Sequence, residues 1–144
     1  MVYLDSSSLL KLLWPEPESA AVRRRVAAED AVVVSSLAEL ESEVQLRAAW
    51  LAGKYREARW RRFQAKLSEL RGTEPFRFQR LGGSVFEAAL RQHRAAHTPH
   101  CRTLDRLHLA AMEELNVRML MTNDTGQAEA ARAMGFEVVT PGLD

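Results

Sequence analysis

Cysteine is scarce in this sequence. The single Cys101 among 144 residues leaves no internal disulfide to form, so a reducing, cytoplasmic setting is expected. No Cys-His-Asn pattern surrounds it, which removes a thiol nucleophile. Long apolar runs are missing as well. No apolar run is long enough to span a bilayer, and the apolar start, VYLDSSSLLKLLWP, is broken by Asp5 and Lys11. It also lacks the basic n-region and small-residue cleavage site of a secretory signal. There is no internal repeat, linker or low-complexity tract, and 144 residues fit one domain covering 1–144.

What the chain has is charge, unevenly spread. The net charge is +1, yet Arg47 to Arg80 holds ten basic residues against three acids, and the remainder ten against sixteen. An acidic body with a basic segment suits a metal-using enzyme that acts on a polyanion, and equally a solvated helical face.

Apolar periodicity supplies the elements. Val2-Tyr3-Leu4 reads as a first strand, followed by Asp5 and a helix opened by Ser6-Ser7-Ser8 and ended by Pro15 and Pro17. A second helix runs from Ser19 to Ala28. Residues 31–34 form an unbroken β-branched strand of the kind covered on both faces. Ser35 or Ser36 caps the next helix, on which Leu37, Leu40, Val44, Ala48 and Leu51 share one stripe, expected to face the core. Glu41 sits at the edge of that stripe, Glu43 on the other flank and Glu39 almost opposite. A carboxylate aimed inward needs a partner, so Glu41 is the informative one.

Further on, Lys54 to Leu70 reads as a basic helix and Pro75 to Leu81 as a short strand. Ser84 to about Ala96 is helical, and Thr103 is expected to cap a helix carrying Asp105. Met119 to Thr122 is a central strand, Gln127 to Met134 a helix closed by Gly135, and Val138-Val139 a last strand. The alternation of helices and strands predicts an α/β fold with a mostly parallel sheet.

Such sheets place ligands at the carboxyl ends of their strands. Asp5 and Asp124 follow strands directly, Glu41 belongs to a helix leaving a strand, and Asp105 to the helix feeding the strand before Asp124. Four acids in one pocket raise each other's pKa unless cations compensate. Oxygen-only ligands suit Mg²⁺ or Mn²⁺ better than Zn²⁺, and such ions activate water against a phosphodiester. Taken singly, each aspartate is also an ordinary helix cap.

Other candidates carry less. His93 and His97 have a zinc-compatible spacing but neither a zincin glutamate nor a third ligand. His108, three residues beyond Asp105, reads as a packed or hydrogen-bonded histidine. Arg47, Lys54, Arg56, Arg59, Arg61 and Arg62 are interleaved with Trp50, Tyr55, Trp60 and Phe63. That mixture suits RNA phosphates and stacked bases, or a solvated face whose aromatics pack against the body or a second protomer.

VYLDSSSLLKLLWPEPES, VVVSSLAELESEV, LDRLHLAA and MTNDTGQAEAARAMGFEVV, in that order, resemble the successive signatures of the PIN domain family in its VapC-type toxin form. The resemblance spans essentially the whole chain. It implies a single three-layer PIN-like domain, with a mostly parallel central sheet flanked by helices. It further implies an Mg²⁺- or Mn²⁺-dependent endoribonuclease, usually a homodimer, that is neutralised by a cognate antitoxin. Carried over by position, Asp5, Glu41, Asp105 and Asp124 occupy the family's acidic cluster. Thr122 and Asn123 match the polar residues beside its last aspartate. The helical pair around 47–63 resembles the region that grips the antitoxin and the second protomer.

Two other functions compete. The fold without the chemistry would be a nucleic-acid or partner-binding module, although a polyanion binder would gain from losing the acids. A phosphotransferase with Asp5 as nucleophile would usually carry a second aspartate two residues on, where this chain has Ser7.

Overall fold

The computed structural model describes residues 1–95 and 97–143. In chain order the elements are β1 (Val2–Leu4), α1 (Ser6–Leu13), α2 (Ser19–Ala27), β2 (Val32–Ser35), α3 (Ser36–Leu51) and α4 (Glu57–Leu70). They continue with β3 (Phe76–Gln79), α5 (Ser84–Arg94), α6 (Thr103–Glu114), β4 (Met119–Met121), α7 (Thr125–Ala133) and β5 (Glu137–Val139). The strands form one sheet in the order β3-β2-β1-β4-β5, and every pairing is parallel.

Both faces of the sheet are covered, which is why its central strands are apolar throughout. Side chains alternate across a strand, so Val2, Leu4, Val32 and Val34 pack on one side with α1, α2 and α4. Tyr3, Val33 and Leu120 point the other way, into α5, α6 and α7. The result is three layers.

The order reverses at β1, which feeds β2 on one side while β4 arrives on the other. Ligand sites of open parallel sheets lie at such a reversal, beyond the carboxyl ends of the strands. Asp5 follows β1 there, and Asp124 follows β4. The turns at the opposite edge, which lead into β4 and β5, are built locally. Gly135, at φ +81, ends α7 with Phe136 N–H donating to the Ala131 carbonyl, so the chain reverses into β5. Asn116, at φ +53, ends α6 the same way, with Val117 N–H donating to Met112.

Three expectations are corrected. The leucine-rich stripe of α3 faces outward: Leu40, Val44 and Leu51 are 61%, 58% and 67% exposed. The buried face is Ala38, Ser42, Leu46 and Ala49. Small residues let α3 lie close to the body, and Ser42 satisfies its own hydroxyl on the Ala38 carbonyl at 2.8 Å. Thr103 is the first residue of α6 rather than its cap; the cap is Arg102, which makes no side-chain capping bond. The basic helix begins at Glu57, with Arg56 as its cap, not at Lys54. The expected end of α5 at Ala96 lies outside the described residues.

The aromatics of the basic segment turn inward. Trp60 and Phe63 are buried, Trp50 stacks on Trp60 at 4.3 Å, and Tyr55 meets Phe63 edge-on. They anchor α4 to α1 through Trp14, and the arginines and Lys54 of that segment remain exposed for an outside partner. No helix among the described residues is long and apolar enough to cross a membrane.

Candidate active site

Asp5, Glu41, Asp105 and Asp124 all line one cavity of about 390 Å³ at the carboxyl ends of β1 and β4. Asp5 and Glu41 have separate partners, whereas Asp105 and Asp124 share one.

Asp5 is the deepest, 4% exposed. It caps α1, with Oδ1 accepting the Ser8 N–H at 3.1 Å and the Ser7 hydroxyl at 2.7 Å. Its Oδ2 accepts the Thr122 hydroxyl at 2.5 Å. Burial pushes the Asp5 carboxyl above the ordinary aspartate range, and these hydrogen bonds only partly offset it.

Asp124 caps α7, accepting the Gln127 N–H on Oδ1 at 3.0 Å. Burial alone would raise its pKa. The Gln127 amide and the Arg102 guanidinium outweigh that, and the carboxyl is held below the usual range. Asp105 lies in the first turn of α6, where Arg102 grips it with Nε on Oδ2 at 2.8 Å and Nη2 on Oδ1 at 3.2 Å. The same Nη2 donates to Asp124 Oδ2 at 2.7 Å. One guanidinium, 71% exposed along its side chain, thus bridges two acids.

Glu41 emerges on the flank of α3 between its buried and exposed faces and pairs with His108 Nε2 of α6. The Ser7 hydroxyl, besides serving Asp5, accepts the Asn123 N–H at 2.8 Å. Asn123 itself turns aside: its Oδ1 accepts from Ser8 at 2.7 Å and its Nδ2 donates to the Pro141 carbonyl at 2.8 Å. Thr122 therefore touches the acid cluster, whereas Asn123 ties the β4–α7 junction to α1 and the chain beyond β5.

Sequence reasoning brought the four acids and Thr122 to this edge. It left Ser7 aside and did not single out Arg102, although Arg102 stands three residues before Asp105, a spacing at which helical side chains meet. As placed, no three His, Cys, Asp or Glu side chains among the described residues gather closely enough to share one ion. His93 and His97 make no exception.

The profile of the PIN domain family matches residues 2–133. The chain belongs to the PIN domain family. Among curated proteins, this PIN domain is 34% identical over 142 residues to Ribonuclease VapC46 of Mycobacterium tuberculosis, covering 97% of each chain. Among solved structures it resembles Mycobacterium tuberculosis VapC20, a toxin described as cleaving the sarcin-ricin loop. The TM-score is 0.69 at 15% identity, over 97% of this chain and 98% of that one. It also resembles VapBC2 of Rickettsia felis, described as bound to a DNA fragment from its promoter. There the TM-score is 0.67 at 14% identity, over 96% and 98% of the two chains. Identities that low speak for the shared PIN fold alone.

Proposed function

We propose that this PIN domain, residues 1–144, is a metal-dependent endoribonuclease and the toxin of a toxin-antitoxin pair. In this reading Asp5, Glu41, Asp105 and Asp124 are its Mg²⁺ or Mn²⁺ ligands. The observation that carries it is that acids from four separate elements line one cavity at the reversal of the sheet. The 34% identity to a curated VapC ribonuclease over nearly the full chain supports the substrate class.

The donor set fits a hard divalent ion, because every acid offers oxygen and the cavity has no thiolate. A cation already stands between two of the acids in the form of Arg102. A divalent ion held by these acids would lower the pKa of a bound water and neutralise charge on the phosphodiester. The protein's own groups do the rest. Thr122 and Ser7 fix the rotamer of Asp5. Arg102, exposed at the rim of the cavity, is suited to a phosphate oxygen of the bound RNA. The outward arginines of α4, Arg59, Arg61 and Arg62, are suited to the flanking backbone.

A protein antitoxin is the expected regulator. A second copy is the proposed occupant of the outward stripe of α3, continuous with the exposed Phe86 and Leu90 of α5, because apolar faces of this extent on a monomer favour association. The lone cysteine supports a cytoplasmic location.

The test is cleavage of total RNA by purified protein with Mg²⁺ or Mn²⁺, alongside Asp5→Asn, Asp105→Asn and Asp124→Asn. Loss of cleavage in the variants is expected. Equal cleavage by all three would remove the metal-acid mechanism and return the chain to the partner-binding alternative. Leu40→Glu should convert a dimer to a monomer in light scattering.

A further inference from the structure

Behind Glu41 a chain of buried side chains crosses the molecule. Ser35, the last residue of β2 and the cap of α3, accepts the Ala38 N–H at 3.2 Å. Its Oγ lies 2.6 Å from the Tyr3 hydroxyl, which lies 2.8 Å from His108 Nδ1. His108 Nε2 meets the Glu41 carboxylate. Tyr3, Ser35 and His108 are all buried, so each polar atom must find its partner within the chain.

The proton count has a direction. An ionised carboxylate only accepts, so Nε2 carries the hydrogen shared with Glu41. With that hydrogen on Nε2 and none on Nδ1, Nδ1 accepts, and the Tyr3 hydroxyl lies within hydrogen-bond distance of it. Tyr3 donates to Nδ1 and accepts from Ser35, whose oxygen is left free for the Ala38 amide. Every donor finds one acceptor. Burial holds the Tyr3 phenol well above its ordinary range, so it keeps its proton to give.

We propose that His108 and Tyr3 are positioning residues: Tyr3 locks His108 in the tautomer with hydrogen on Nε2, and that N–H fixes Glu41 in the orientation for ligating the divalent ion. Tyr3 is fully buried and His108 is only 3% exposed where it borders the cavity, so both act through Glu41. A histidine donating to a ligating carboxylate orients it and tunes it, and loss of such an outer partner typically weakens metal affinity about 10- to 100-fold. The chain also explains why a hydroxyl-bearing aromatic sits in the middle of the central strand, where a phenylalanine would pack equally well and need no partner. The inference rests on the ligand role proposed above for Glu41.

The test has two arms that do not depend on cleavage. Nitrogen-15 spectra of the histidine side chains in the wild-type protein should show His108 protonated on Nε2 and bare on Nδ1. A hydrogen on Nδ1, in the other tautomer or in an imidazolium, would overturn the tautomer lock. Calorimetric titration of Mn²⁺ should then find weaker binding by Tyr3→Phe and His108→Asn, about 10-fold or more, with His108→Gln recovering part of the loss because its amide can donate from near Nε2. Thermal melts would verify that each variant is folded at the titration temperature. Glu41→Gln is the control. If it weakens Mn²⁺ binding while Tyr3→Phe and His108→Asn bind like wild type, the positioning role fails and the ligand role stands. If Glu41→Gln itself binds like wild type, the ligand role fails and the positioning role with it.

Discussion

The Thr122 hydroxyl donates to Asp5 Oδ2 across 2.5 Å and accepts the Asp124 N–H across 3.0 Å, so one oxygen joins the ends of β1 and β4. Thr122→Val keeps the shape and removes both bonds. Leaving the amide and the buried carboxylate short of a partner should destabilise the fold by about 1–3 kcal/mol. Mn²⁺ affinity should fall about 10-fold, as for other outer-shell losses. Urea unfolding and calorimetry read the two effects separately. Wild-type metal affinity in this variant would remove Thr122 from the site.

Asp5 makes the fold depend on pH. Its folded pKa is raised, so it binds its proton more tightly folded than unfolded. The stability it contributes is full below the unfolded value of about 3.9 and is lost as pH rises through the raised folded value. Asp5→Asn, which mimics the protonated form and keeps a capping oxygen, should avoid that loss. In chelator, the urea midpoints of wild type and variant should diverge as pH rises from about 4 to neutrality, the variant being the more stable. Added Mn²⁺ should close the gap by stabilising only the wild type. Parallel curves would contradict the burial cost assigned to Asp5.

Arg102 competes with a cation for Asp105 and Asp124. Arg102→Ala should therefore bind Mn²⁺ several-fold more tightly while binding RNA more weakly. The slope of log affinity against log salt should fall by about 0.7, the value for one single-strand phosphate contact. Unchanged metal affinity would show that the guanidinium does not occupy the ion's place.

Phe63 anchors α4 between Trp14 and Tyr55. Phe63→Ala should cost about 3–5 kcal/mol, the range for truncating a buried aromatic. Below its melting temperature the variant should keep wild-type Mn²⁺ affinity, because α4 adds no residue to the cavity. A matching loss of metal affinity would tie α4 to the site.

The acids at strand ends were readable because local chemistry repeats there. A short β-branched or apolar strand, an aspartate, and a helix opened by serines or by Thr125-Gly126 signal a cap at a sheet edge, and Asp5 and Asp124 are both caps and cavity residues. The periodicity argument for Glu41 rested on a false premise, whereas its position in the resemblance did not. The wheel counted leucines and took their stripe for the inner face, whereas packing buries Ala38, Ser42, Leu46 and Ala49. Glu41 still faces the site because it sits on the flank between the two. The Ser35–Tyr3–His108 chain had no local trace: its members lie 32 and 105 residues apart.

The order of helices and strands, the parallel sheet and the residues at strand ends follow from periodicity and capping, which act over a few neighbouring positions. Which side of α3 packs inward, and which carboxylate receives Thr122, Arg102 or His108, depends on how closely separate elements approach. Small side chains admit a neighbour and a buried polar atom must be met, and neither condition is expressed until the layers have closed on one another.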